Sequence, residues 1–272
     1  MIPFDYITAW RDEAPWVDDS QVEQDLVISR AVVEIFSHPL LADALALRGG
    51  TALSKLHLRP AARYSEDIDL VQTRAEPAGP MMKALREVLA PWLGTPKWKQ
   101  TEGRITFLYR YAAEGLPAVP MKLKVEVNTR EHFAIYGLPR AAFKVESRWF
   151  EGTCEIQTYE LDELLGTKLR ALYQRKYARD LFDLETALTR LPVTPQRTVA
   201  AFLEYIAHDG HQMTRAQYEQ NLALKMRDPG FLADLSPLLA GGRAWDPTAA
   251  EALVSKELIA LLPGDPWKRD VR

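Results

Sequence analysis

Cysteine is nearly absent. Cys154 stands alone, which excludes an internal disulfide framework and a cysteine-rich metal site. No uninterrupted apolar run of about 18 residues occurs, so no membrane-spanning helix and no membrane partner are expected. A charged-then-apolar leader is missing as well, and the expectation is a soluble, cytoplasmic protein. Excess charge of either sign is small. The 34 Lys and Arg against 37 Asp and Glu leave a net charge of −3, so any basic binding surface must be local. Fixed-period repeats and low-complexity tracts are also missing. What is present is 47% hydrophobic and 26% charged residues, enough for a sizeable core in one large or two modest domains.

The stretch from Arg48 to Val71 concentrates the chemistry. An apolar run, Leu45-Ala46-Leu47, meets Gly49-Gly50-Thr51, and Ser65-Glu66-Asp67-Ile68-Asp69 follows. Successive strand residues point to opposite faces, so Asp67 and Asp69 share one face, roughly 6–7 Å apart. Two carboxylates so placed can converge on a hard cation, Mg²⁺ or Mn²⁺ rather than Zn²⁺. Paired glycines let a backbone turn approach phosphate, and a helix start offers N–H groups to an anion. Each motif alone has a plainer reading, a tight turn for Gly-Gly and chance for Asp-x-Asp at a strand end. Together, at this spacing, they describe a nucleoside triphosphate site.

The stretch GGTALSKL…RYSEDIDL resembles the signature of the nucleotidyltransferase superfamily. It looks most like the AbiEii-type toxins of type IV toxin–antitoxin systems, MenT-like enzymes included. The likeness recurs at KLKVEV and GTKLRALYQRKYARDLFDL, covering roughly residues 45 to 190. Thr51 stands where many superfamily members have serine, and a hydroxyl is retained.

Elsewhere, Ser20 and Glu23 fit a capping box opening a helix with Val22, Leu26, Val33 and Phe36 on its apolar positions. Residues 76–80 read as a loop, followed by a helix from about Met81 to Trp92. Arg104 to Tyr111 alternates as a strand with Ile105, Phe107, Tyr109 and Tyr111 on one face. Residues 115–120 turn the chain. Lys122 to Asn128 then alternates cleanly and places Glu126 on the polar face. The resemblance makes Glu126 the third carboxylate, able to complete a metal site or act as a base; the plainer reading is a solvent-facing glutamate. Trp149-Phe150 and Cys154-Ile156 suggest a further strand, after which the patterns turn helical, with a boundary near 158.

In the first of these helices Lys168 falls on an apolar face with Leu161, Leu164, Leu165 and Leu172. It must snorkel or find a partner. The resemblance sends it to the triphosphate, and its replacement by alanine is expected to leave the helix stable. Asp180 and Asp183 flank the next apolar stripe; in a helix's first turn acids are favoured anyway. The resemblance pairs an aspartate here with the lysine, and Asp180 is preferred. A continuous helix would hold Asp180 about 18 Å from Lys168, so a bend near Tyr177-Ala178 is required. Arg170, Arg175, Lys176 and Arg179, with Tyr173 and Tyr177 interleaved, form a local basic window. It reads either as an RNA surface or as a solvated helix face. Lys97, Lys99 and Arg104 are candidates to extend it. His208 and His211 straddle a glycine and read as incidental. Thr194-Pro195, Thr214 and Asp246-Pro247 open later helices, and residues 268–272 read as a frayed end.

The expected fold is α/β: a nucleotidyltransferase-like mixed-sheet core over 1–158 and an α-helical domain over 159–272. The expected reaction transfers NMP from an NTP to a hydroxyl, the 3′ end of tRNA as acceptor, blocking translation. Asp67, Asp69 and Glu126 would hold Mg²⁺. Gly49, Gly50, Thr51 and Ser65 would contact phosphate, Lys168 would neutralise developing charge, and Asp180 would support the metal or acceptor. A helix-turn-helix antitoxin would be the protein partner. Two readings compete: a small-molecule, aminoglycoside-like nucleotidyltransferase, and a non-catalytic scaffold.

Overall fold

The computed structural model describes residues 2–114, 119–240 and 244–268. Most of the turn expected over 115–120, and the end expected to fray beyond Lys268, lie outside the described residues. The chain divides into two compact units, Met1–Tyr159 and Glu160–Arg272.

The first unit runs α1 (Phe4–Ala9), α2 (Asp19–Ser37), α3 (Pro39–Ala44), β1 (Leu45–Arg48), α4 (Gly49–Ala52), β2 (Asp67–Gln72), α5 (Ala78–Leu93), β3 (Lys97–Thr101), β4 (Arg104–Ala112), β5 (Pro120–Asn128), β6 (Arg140–Glu146) and β7 (Glu151–Gln157). Five strands form a mixed sheet in the order β1-β2-β5-β4-β3, and β6 pairs with β7 separately. Only the β2–β5 pair is parallel; the other neighbours run antiparallel. The alternation read in β4 and β5 decides which face is buried. Ile105, Phe107, Tyr109, Leu123, Val125 and Val127 are fully buried, with Ile68 and Leu70 beside them. Their neighbours on each strand face the other way.

Three expectations change. The capping box at Ser20 and Glu23 does not form. Asp18 caps α2, its carboxylate accepting the Ser20 N–H at 2.9 Å, because an ionised oxygen is the stronger acceptor at a positive helix end. Glu23 is instead buried and accepts the Glu114 N–H at 2.7 Å. The loop over 76–80 is shorter than expected, since α5 already begins at Ala78. Trp149 and Phe150 precede the last strand rather than lie in it. They pack, with Trp92, around the Arg30 guanidinium, which sits 4.2–5.2 Å from the three ring centroids. Strands β3 and β6 add to the sequence reading: every residue of β3 is exposed, so no buried face marks it, whereas β6 alternates, with Phe143 and Val145 buried between exposed neighbours.

The second unit is helical: α6 (Leu161–Gln174), α7 (Ala178–Arg190), α8 (Pro195–His208), α9 (Arg215–Met226), α10 (Pro229–Ala233) and α11 (Pro247–Glu257). Thr194, Thr214 and Asp246 stand at the N-cap positions expected; Asp246 caps with its carboxylate and Thr214 forms a full capping box with Gln217, while the Thr194 side chain makes no capping hydrogen bond. Helices α6 and α8 approach closely at Gly166, where a Cβ would lie 2.8 Å from Ala201 Cβ and 2.9 Å from the Thr198 carbonyl. Among the described residues no helix is long and apolar enough to cross a membrane.

Candidate active site

The site in the first unit grows from the pairing of three short strands. Asp69 lies opposite Arg48 on one side and Glu126 on the other; Asp67 lies opposite Lys124. Cross-strand partners share a face, so Arg48, Asp67, Asp69, Lys124 and Glu126 occupy the same side of the sheet. The strand bearing Glu126 pairs directly, in parallel, with the Asp67–Asp69 strand.

The glycine turn fits against this face. Gly49 has φ +77°, and a Cβ there would fall 2.4 Å from Asp69 Oδ2. At Gly50 a Cβ would fall 2.7 Å from Arg63 Nη2 and 3.2 Å from Ser65 Oγ. Gly49 is needed for its positive φ and for the close approach of Asp69, while at Gly50 a side chain would displace the end of Arg63 from the turn. Thr51 is buried, and its hydroxyl donates to the Asp67 carbonyl at 2.5 Å while lying 2.9 Å from Ser65 Oγ. It fastens α4 to the first residue of β2, whereas Ser65 is half-exposed. Buried Gln24 on α2 fastens the sheet from below. Its amide donates to the Glu66 carbonyl at 3.1 Å and the Lys122 carbonyl at 3.0 Å, holding the starts of β2 and β5 in register.

Cations balance the carboxylates. Lys124 Nζ is 2.8 Å from Asp67 Oδ2 and 3.8 Å from Glu126 Oε2, and Arg104 Nε is 3.3 Å from Glu126 Oε1. Arg48 is ion-paired to Glu131. Burial holds the Asp67 carboxyl above its ordinary range, with the Lys124 hydrogen bond opposing and the Asp69 charge reinforcing. Burial acts to lower the Lys124 ammonium, but the Asp67 hydrogen bond and the surrounding carboxylates outweigh it and raise its pKa.

The donor set suits a hard divalent ion. Asp67 and Glu126 flank one ammonium, at 2.8 and 3.8 Å, so the two carboxylates face a common cationic position. Among the described residues no three His, Cys, Asp or Glu side chains are grouped closely enough to form a ready cage. Mg²⁺ does not need one, since it is commonly held by one or two carboxylates with water and phosphate completing the octahedron.

In the second unit the structure gathers a different cluster. Helix α6 ends at Gln174 and α7 begins at Ala178, so the required bend falls at Arg175–Tyr177. It brings Lys168 Nζ to 3.2 Å from Asp180 Oδ1 and 2.7 Å from Asp183 Oδ2, all three buried. Arg175 forks onto Asp180, with Nε 2.7 Å from Oδ2 and Nη2 2.9 Å from Oδ1. The two aspartates thus share one lysine. The basic window is largely balanced. Arg170 is buried, 3.4 Å from Asp209, with its guanidinium 4.8 Å from the Tyr205 ring centroid, and Lys176 pairs with Asp228. Tyr173 packs 5.5 Å from Tyr218, while Tyr177 remains exposed with Arg179 4.5 Å from its ring centroid. Absence of acids within 168–179 is therefore not absence of acids in space.

Sequence reading missed Arg63, Arg104, Lys124 and Gln24 as parts of the first site. Only Lys124 had a visible signal, its parity with Glu126 on one strand.

The profile of the nucleotidyl transferase AbiEii toxins of type IV toxin–antitoxin systems matches residues 30–254. The chain belongs to this family. It is thereby a nucleotidyltransferase, and the type IV class implies an NTP substrate and an antitoxin partner. The fold agrees. MenT4, a nucleotidyltransferase toxin of Mycobacterium tuberculosis H37Rv, superposes with a TM-score of 0.64 over 97% of this chain and 92% of its own, at 18% identity. A nucleotidyltransferase described as putative, from H. pylori, gives 0.51 over 91% of this chain and 100% of its own, at 16% identity. No curated protein matches the sequence.

Proposed function

We propose that the protein is a divalent-metal-dependent toxin that transfers NMP from an NTP to the 3′-terminal hydroxyl of tRNA, in the cytoplasm, and so blocks translation. The observation that carries the reading is the register Asp67↔Lys124 and Asp69↔Glu126 beneath a glycine turn that closes on Asp69. The acceptor oxygen attacks the α-phosphorus, a new P–O bond forms, the α–β bridging bond breaks, and pyrophosphate leaves with its electron pair. Asp67, Asp69 and Glu126 are the residues to hold Mg²⁺ or Mn²⁺. A divalent ion there supplies Lewis acidity at the phosphate. Ser65 and the Gly49–Gly50 backbone contact phosphate, with Thr51 holding the turn in place. Glu126 is also the residue proposed to take the hydroxyl proton. Lys168, with Asp180 as its partner, is assigned to the charge that develops on the triphosphate. Of the basic window, exposed Tyr177 with Lys176 and Arg179 beside it is the part assigned to RNA, Lys176 exchanging its Asp228 partner for phosphate; Arg170 is buried and Arg175 is held on Asp180. The antitoxin is expected to be a helix-turn-helix protein.

The test is incubation with each radiolabelled NTP and total tRNA, with and without Mg²⁺. Label in tRNA, with pyrophosphate released and both lost in EDTA and in Asp69→Asn, is the expected result. Label in an aminoglycoside-like hydroxyl compound but never in tRNA would replace the acceptor, and no transfer by a folded protein to any acceptor would remove the reading.

A further inference from the structure

The sheet face that carries the carboxylates continues across β5, β4 and β3, and its charge there reverses. Register places Lys99 opposite Thr106, Thr106 opposite Glu126, and Glu126 opposite Asp69. On the same face lie Lys97 opposite Leu108, Leu108 opposite Lys124, and Arg110 opposite Lys122. Every cation of these three strands therefore points to this one face: Lys97, Lys99, Arg104, Arg110, Lys122 and Lys124. The one acid among them is Glu126. Lys124 and Arg104 are engaged by the carboxylates. Lys97, Lys99, Arg110 and Lys122 are exposed and form no ion pair among the described residues.

We propose that this stripe is the track for the phosphate backbone of the RNA acceptor, an inference that rests on the tRNA reading above. Three points select this occupant. First, a chain of net charge −3 has segregated six cations onto one face of three strands, complementary to a polyanion. Second, the span is too long for a triphosphate. Arg104 to Arg110 covers six residues, about 20 Å at 3.4 Å each, the length of about six phosphates along one strand. Third, the stripe starts at the carboxylates. Lys99 is three strand spacings from Asp69, about 14 Å, so a backbone held on it leads its end toward the reacting phosphate. Edge protection explains lysines on β3, which closes the sheet. It does not explain Arg110 and Lys122, which stand on interior strands.

The test uses the full-length protein with Lys97→Ala, Lys99→Ala and Arg110→Ala combined. None of the three touches the carboxylates. Binding of fluorescein-labelled total tRNA is followed by anisotropy between 50 and 200 mM salt, and KM is measured separately for tRNA and NTP. The triple variant is expected to bind tRNA at least about tenfold more weakly, and the slope of log K against log salt should shallow by about two to three, near 0.7–0.9 for each of the three lost contacts. The NTP KM should hold. If the triple variant fails to fold, Lys99→Gln and Arg110→Gln singly should each shallow the slope by just under one. Unchanged tRNA affinity and slope, in a protein whose wild type labels tRNA, would overturn the track and leave the tRNA reading standing. A wild type that neither binds nor labels tRNA would overturn both.

Discussion

At the scale of single residues, two glycines with nearly the same positive φ separate strain from function. Gly49 and Gly94 have φ of +77° and +78°, so alanine at either is expected to cost about 1–3 kcal/mol. Around Gly94 nothing lies within 4 Å of the added Cβ, whereas at Gly49 it meets Asp69 Oδ2 at 2.4 Å. Gly94→Ala should therefore lower Tm and keep transfer, while Gly49→Ala should lower Tm and cut kcat more than tenfold. Equal activity in the two would remove Asp69 from the site. Asp67 carries a pH signature. Its carboxyl is held above the ordinary value by burial, so it ionises only at higher pH. The protonated form is the one the fold favours, and its contribution to stability is lost as pH rises through the raised pKa. Asp67→Asn should thus be no less stable than wild type at neutral pH yet inactive. The acid limb of kcat/KM should have its midpoint above 3.8, and Lys124→Met should move it higher still, because the Lys124 hydrogen bond opposes the rise. A midpoint indifferent to Lys124 would detach the limb from Asp67.

Between elements, polar side chains in the interior act as fasteners. Lys168 reads from sequence as a residue that alanine could replace without loss of stability, and the structure corrects this. Its ammonium is the shared counter-ion of two buried aspartates from the next helix. Lys168→Ala removes the ammonium that buried Asp180 and Asp183 share and should cost about 3–5 kcal/mol. A Tm within about 2 °C of wild type would show the cluster to be dispensable for folding. Gln24 is the comparable fastener in the first unit. Gln24→Ala strands the Glu66 and Lys122 carbonyls, at about 1–3 kcal/mol. Because those carbonyls flank Asp67 and Lys124, kcat should fall while the NTP KM moves less. Lys225 on α9 donates to the Leu172 and Tyr173 carbonyls at the end of α6. Burial pushes it down to about 8, from 10.5. Between those values the unfolded chain holds a proton that the folded chain has released, so this group's contribution to stability rises with pH. Relative to Lys225→Met, wild type should gain stability from pH 8 to 10; a constant difference would refute the shift.

For the whole molecule, each unit has its own buried interior: Leu26, Ile68, Leu123 and Val125 in one, Leu165, Leu181, Phe202 and Tyr218 in the other. Residues 160–272 expressed alone should be helical by circular dichroism and unfold cooperatively, without transfer activity; a non-cooperative melt would count against an independent core. Chelation should separate folding from chemistry. Asp67 and Glu126 already have Lys124 and Arg104 as counter-ions, so EDTA should abolish transfer and leave Tm nearly unchanged. A large fall in Tm would mean that the ion is structural.

Local pattern determined a good deal. Strict alternation marked β4 and β5 and their buried faces, because a strand's two-residue period is written directly in side-chain polarity. The glycine pair, Asp67-x-Asp69 and Glu126 pointed to the chemistry, and Lys168 on an apolar face demanded a partner. Other features required the tertiary structure. Strand β3 owes its existence to hydrogen bonds with β4, since no face of it is buried. Asp18 is the cap rather than Ser20 because the helix already begins at Asp19, which leaves the Ser20 N–H open to the Asp18 carboxylate and puts Ser20 inside the helix. Asp209, Asp228, Asp180 and Asp183 balanced a window that contains no acid up to Arg179, because charge balance follows distance in space rather than along the chain. For the same reason Lys97, Lys99, Arg110 and Lys122, exposed and without an ion pair among the described residues, share one face only because three separate segments came into register.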